Sequence, residues 1–184
     1  MLNHVPFYVS VDIETTGLDP YEHQIIEFAA VAWTNDGPVW QLPYFHRIIQ
    51  PEGNIVGSPY ALSLNKAILD QLHEGNGVHM GYALLDFTNW LTSLGVTTEN
   101  KVNIVGQNFA SFDLQFLNQW VAWPEELIHH RYFDLSTICA IPTGIPSASS
   151  LGDVEGLEGN EHEALFDALR ALHHVREWIL DNGK

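Results

Sequence analysis

The chain has 184 residues, 46% of them hydrophobic and 16% charged, which leads us to expect one soluble globular domain spanning residues 1–184. No apolar run reaches membrane-spanning length, the opening "MLNHVPFYVS" lacks the basic and apolar regions of a secretory signal, and a single cysteine, Cys139, excludes an intramolecular disulfide, so a cytoplasmic protein with no membrane contact is expected. With only seven Lys and Arg and a net charge of −16 there is no basic cluster, which argues against tight binding along an extended nucleic acid.

In chain order, Phe7 to Ile13 reads as a strand ended by Gly17 and Asp19-Pro20. The stretch "QIIEFAAVAW", Gln24 to Trp33, is short and apolar, and the turn "NDG" at Asn35 to Gly37 selects a strand over a helix. Val39 to Pro51 reads as the return strand, with Pro43 marking an edge or a bulge. Tyr60 to His73 has mixed helical character. Leu84, Phe87, Leu91 and Leu94 recur at helical spacing, and Gly95 stops that helix. "KVNIVGQN" is a second buried strand, and Phe112, Phe116 and Trp120 form a helical stripe for which Ser111 offers an N-cap. "RYFDL" is a short strand. Pro142 to Asn160 is rich in Pro, Gly and Ser and reads as loop, before a closing helix with Leu165, Ala168, Leu169, Leu172, Val175 and Ile179 on one face. Antiparallel strands followed by strands alternating with helices define an α/β domain with a mixed sheet of about five strands.

Carboxylates occur at places where local structure does not ask for them. In "VSVDIETTGLD" alternate residues share a face, so Asp12 and Glu14 stand side by side while Val9, Val11 and Ile13 take the other face. Two neighbouring carboxylates at a buried site are costly unless something positive holds them. Asp113 follows a buried strand at the start of a helix, where the helix dipole alone would also favour it. Asp167 opens the closing helix, five residues after His162, and Arg170 is within helical reach as an ordinary ion-pair partner. Five residues is roughly 140° around a helix, so His162 and Asp167 are not a same-face pair; His162 belongs to the loop or first turn, reaching over a site that Asp167 enters from the helix. His129-His130 and His173-His174 lack the spacing of a helical zinc site and read as surface or packing residues. Among the tryptophans, Trp123 alone reads as loop-borne.

Together these pieces resemble the DEDDh family of 3'→5' exonucleases, the DnaQ-like group with proofreading subunits and ribonuclease T-like enzymes. Its three motifs correspond to "DIETTGL" at Asp12 to Leu18, "NFASFDLQFL" at Asn108 to Leu117 and "HEALFDA" at His162 to Ala168, in the family's order and across nearly the whole chain. The gap from Asn108 to Asp113 is one residue longer than the commonest form, and "ALSLNKAI" stands where the family has a stretch with a His near Asn65. The resemblance implies a ribonuclease H-like three-layer fold with a central sheet flanked by helices. It implies that Asp12, Glu14, Asp113 and Asp167 hold two divalent cations, Mg²⁺ or Mn²⁺, and that His162 is the general base. It also implies that Thr15, Thr16, Leu18 and Asn108 contact the terminal nucleotide.

Two such ions answer the chemistry of phosphodiester hydrolysis, one activating water and the other neutralising the leaving oxygen. Four carboxylates balance their four positive charges with the hard oxygen ligands that Mg²⁺ prefers. Left without a cation, each pair about 5 Å apart would repel by roughly 3 kcal/mol at an effective dielectric near 20. The expected substrates are single-stranded 3' ends or short oligonucleotides, because a short footprint tolerates an acidic surface. A polymerase or another basic protein is the partner that would add grip. Two other readings stand beside this one: a non-catalytic docking module of the same fold, and a hydrolase of small nucleotide phosphoesters.

Overall fold

The computed structural model describes residues 8–144 and 152–182. In chain order it comprises β1 (Tyr8–Thr15), β2 (Ile25–Trp33), a 3₁₀ turn (Val39–Gln41), β3 (Tyr44–Gln50), α1 (Pro59–Leu64), α2 (Lys66–His73) and β4 (Val78–His79). There follow α3 (Met80–Ser93), β5 (Val102–Gly106), α4 (Asp113–Trp120), β6 (Ile128–Asp134), α5 (Leu135–Thr143) and α6 (Ala164–Asn182). The strands form one mixed sheet in the order β4-β3-β2-β1-β5-β6. β2 is antiparallel to both β1 and β3, whereas β5 runs parallel to β1 and to β6.

Helices cover both faces because the strands are apolar on both, as a centrally placed sheet requires. On one face Val9, Val11, Ile13 and Phe28 pack against Phe87 and Leu91 of α3 and Phe116 and Leu117 of α4. Phe28, Phe45 and Phe87 make edge-to-face contacts there, with centroids 4.9–5.5 Å apart, and Trp123 stacks on Phe87 at 5.6 Å. Trp123 does lie between elements, yet its ring is buried in this cluster. On the opposite face Val31, Val39, Leu42 and Val105 meet α5 and α6 through Leu135, Ile138, Ala168, Leu172 and Val175. Cys139 is buried in this second layer, where desolvation raises its thiol pKa.

Several elements differ from the sequence expectation. The sixth strand, β4, has two residues, too few to show alternation; it exists through the pairing of Ile49 with Val78 and Gln50 with His79. The return segment opens as a 3₁₀ turn, and β3 starts only after Pro43, whose ring leaves no N–H for the ladder but whose carbonyl accepts from Ala32 N at 2.9 Å. Ser111 does not cap α4: Phe112 is the N-cap, without a side-chain hydrogen bond. A helix, α5, occupies 135–143 and so takes the first residues of the expected loop. Asp134 caps it by accepting from Ser136 N and Thr137 N, and Gly144, at φ 72°, ends it. The rest of the loop expectation holds at 152–160, while 145–151, like Phe7, falls outside the described residues. Among the described residues no helix is long and apolar enough to cross a membrane.

Candidate active site

β1 and β5 are hydrogen-bonded neighbours only from Tyr8/Asn103 to Ser10/Val105. β5 ends at Gly106, so β1 runs on paired with β2 alone and a crevice opens along its other edge. Gly106 lets the chain leave close to β1: a Cβ there would sit 3.0 Å from the Val11 carbonyl and 2.8 Å from Cβ of Phe109. Asn108 then takes φ 61°, a left-handed conformation that Asn tolerates, and its carbonyl receives Ser111 N and Phe112 N at 3.0 and 2.9 Å. That turn delivers Asp113 into the crevice. Its Oδ1 accepts the Ile13 N–H at 3.1 Å, taking the place of the missing strand partner.

The third contribution comes from α6. Asp167 lies in the first turn, and its Oδ2 accepts the backbone N–H of His162 at 2.8 Å. This hydrogen bond accompanies the left-handed His162, φ 68°, and leaves the imidazole exposed at the rim. Arg170 flanks Asp167, with Nη2 3.3 Å from Oδ1 and Nη1 2.6 Å from Glu161 Oε1. Glu14, His162 and Asp167 each bring a ligand-capable atom within 4.8 Å of the other two.

One cleft of about 590 Å³ collects Asp12, Glu14, Thr15, Leu18, Asn108, Asp113, His162 and Asp167. Thr16 does not line it. That side chain is fully buried, donating to the Val56 carbonyl at 2.6 Å and accepting from Gln24 N at 2.9 Å. Thr15 spends its hydroxyl on the Gly17 carbonyl at 2.7 Å, whereas Leu18 is 83% exposed at the cleft edge.

The electrostatics are those of crowded, desolvated carboxylates. Burial, then Asp113, Asp167, Glu14 and Glu27, hold the Asp12 pKa well above the usual range. Burial pushes Asp113 up to about 8 despite the hydrogen bonds it accepts. Glu14 is pushed up to about 7 by burial and by Glu27, against a hydrogen bond from Asn65. Asp167 is raised by burial, opposed by the His162 N–H and by Arg170. In each case burial is the largest cause, and for Asp12 and Glu14 the neighbouring carboxylates add to it. Asp167 Oδ1 and Asn65 Oδ1 are both buried and accept no hydrogen bond from the described residues. Carboxylate oxygens so arranged fit hard divalent cations such as Mg²⁺ or Mn²⁺.

Three residues around the cleft were not singled out as site residues from the sequence. Asn65, between α1 and α2, donates to the Thr15 carbonyl at 3.1 Å and lines the cleft. Arg170 entered the reading only as an ordinary partner for Asp167. Glu27 pairs in register with Glu14, is 6% exposed, and lies 2.6 Å from His46 Nε2. A charged residue inside "QIIEFAAVAW" carries the signal that marked Asp12 and Glu14, and would have found it.

The exonuclease family model RNase_T matches residues 9–174. No curated protein sequence matches the chain. Among solved structures it is similar to the nuclease domain of 3'hExo, a DEDDh family member bound to rAMP, with 19% identity and a TM-score of 0.72 over 97% of this chain and 93% of that one. It is also similar to the E. coli ExoI–ssDNA complex in its zinc-bound form, with 19% identity and a TM-score of 0.66 over 98% of this chain but 42% of that one. Cell-death related nuclease 4 gives 15% identity and a TM-score of 0.66, with 96% of this chain spanning 64% of that one. The shared architecture is the ribonuclease H-like one: a mixed six-stranded sheet between helices.

Proposed function

This chain belongs to the RNase_T family of exonucleases, and from that premise we propose that residues 1–184 form one metal-dependent 3'→5' exonuclease domain. It removes nucleoside 5'-monophosphates from the 3' ends of single-stranded DNA or RNA. The observation that carries the reading is convergence. β1, α4 and α6, joined by the turn before α6, send Asp12, Glu14, Asp113, Asp167 and His162 into one cleft.

Asp12, Glu14, Asp113 and Asp167 would hold two divalent cations, which when bound supply charge neutralisation for the attacking and leaving oxygens. The chain's own groups do the rest. His162, exposed at the rim, accepts the proton of the attacking water, and its N–H bond to Asp167 holds the segment that carries the ring. Thr15, Asn108 and Leu18 line the place for the terminal nucleotide, with the exposed Leu18 offering an apolar surface to a base or sugar. Arg170 sits against Asp167 and keeps that carboxylate from turning out of the cleft. Net charge of −16 restricts the footprint to a few nucleotides and makes affinity weak and salt-sensitive unless a basic partner contributes.

A gel assay tests this directly, with 5'-labelled single-stranded DNA and RNA in Mg²⁺, Mn²⁺ or EDTA beside Asp12→Ala. The expected result is a metal-dependent ladder shortening from the 3' end and absent in the variant. Oligonucleotides intact in every lane, with hydrolysis of a mononucleotide ester instead, would overturn it in favour of a small-phosphoester hydrolase.

A further inference from the structure

Glu27 is a buried carboxylate in the middle of an apolar strand, and nothing in the chemistry above uses it. Such a group costs stability unless it is paired, and an apolar side chain would fill the same place more cheaply. Its two oxygens are committed in different directions. Oε1 lies 2.6 Å from His46 Nε2 on β3, and Oε2 accepts the backbone N–H of Ala164 at 2.9 Å. Ala164 is the first residue of α6, where the backbone amides have no partner within the helix and the helix dipole favours an anion. A strand residue 137 positions away in sequence thus caps the helix that carries Asp167.

The consequences are geometric. Glu27 is the register partner of Glu14, on the strand beside it. Ala164 is two residues from His162 and three from Asp167, in the turn closed by the Asp167 N–H to the Glu163 carbonyl at 3.0 Å. Apolar packing of Leu165, Ala168 and Leu172 in the cluster with Val31 holds α6 to the sheet, and the Glu27–Ala164 hydrogen bond adds a directional polar tie at its first residue.

We propose that Glu27, oriented by His46, is a positioning residue of the active site: it ties the first turn of α6 to the sheet and so sets the distance of Asp167 and His162 from Glu14. This rests on the metal-dependent reading above. Glu27 touches neither substrate nor reacting atoms and acts through the turn it anchors.

The test is Mn²⁺ binding by calorimetry, with single-strand cleavage kinetics and thermal melts, for the wild type, Glu27→Ala and Glu27→Gln. Both variants remove the charge, but only Gln retains an oxygen for the Ala164 N–H. Glu27→Ala should weaken Mn²⁺ binding by about 10–100-fold and lower kcat with KM for the oligonucleotide unchanged. Glu27→Gln should stay within about threefold of wild type, as a conservative partner would. Equal losses in both variants would mean that Glu27 acts by charge alone, and wild-type binding in both would mean no role; either overturns the proposal. Should Glu27→Ala fail to fold, Glu27→Gln decides, near-wild-type affinity supporting the proposal and a 10-fold or larger loss overturning it. A wild-type chain that binds no Mn²⁺ would instead defeat the metal-dependent reading, and this inference with it.

Discussion

On one face of β1, Val9, Val11 and Ile13 are 0–5% exposed and join a cluster that includes Phe28, Phe87 and Trp123. On the other, Ser10, Asp12 and Glu14 alternate with them, Ser10 buried with no hydrogen-bond partner for its hydroxyl among the described residues and both acids raised in pKa by burial and by their neighbours. The first face removes apolar surface from water at about 25 cal/mol per Å² and holds the molecule together. The second stores repulsion that a bound cation would relieve. One eight-residue strand therefore separates stability from chemistry by side-chain parity alone.

Paired substitutions break this comparison most sharply. Asp12→Ala should lower cleavage by about 10³-fold or more while leaving the melting temperature in EDTA unchanged or higher, since it deletes a desolvated, repelled carboxylate. Phe87→Ala removes a fully buried ring in contact with Phe28, Phe45 and Trp123. It should cost about 3–5 kcal/mol, roughly 10 °C in Tm, with kcat per folded molecule unchanged. Melts and single-strand kinetics on both proteins check the crossover. Loss of stability in Asp12→Ala comparable to that in Phe87→Ala would erase the distinction between the faces.

The apolar face was legible in the sequence because its signal is periodic. Leu84, Phe87 and Leu91 mark α3 by their spacing, and the turn at Asn35 to Gly37 marks the apolar run "IIEFAAVAW" as the strand β2. The carboxylates were legible for the opposite reason: Asp12 and Glu14 contradict the pattern around them. What escaped depends on distant parts of the chain. β4 exists only through its pairing with β3, and the hydroxyl of Thr16 is claimed by Val56, which adjacent sequence does not reveal. Glu27 broke the pattern as Asp12 did, but its capping role requires Ala164, 137 residues on. Local chemistry reads from sequence; commitments between elements do not.

The comparison can be sharpened without mutation, by pH. A carboxylate with a folded-state pKa above its unfolded value holds its proton more tightly when folded, so it favours folding in acid and loses that contribution as pH rises. Glu14, pushed up to about 7, and Asp113, pushed up to about 8, place the loss between the ordinary carboxylate range and about pH 8. In EDTA the Tm should fall over that interval. Added Mg²⁺ or Mn²⁺ at about 100 times its dissociation constant should restore about 2.7 kcal/mol, and one fixed metal concentration should restore more at pH 8 than at pH 6 because fewer protons must be displaced. A metal-free Tm that is flat or rising across the interval would contradict the stored repulsion.

The smallest effect concerns a residue that belongs to neither face. Leu18 follows the end of β1 and is 83% exposed at the cleft edge, so it adds almost nothing to the core. Leu18→Ala should leave the free energy of unfolding within about 0.5 kcal/mol of wild type, as for other exposed positions. If Leu18 offers its side chain to the terminal nucleotide, the loss falls on substrate binding alone. KM for a single-stranded oligonucleotide should then rise up to about tenfold, near 1.4 kcal/mol, with kcat nearly constant. A fall in kcat at constant KM would place Leu18 among the groups that align the reacting bond. Unchanged kinetics would leave it as surface, and would move the nucleotide's apolar contact deeper into the cleft, toward Phe112 and Leu64, which line the same space.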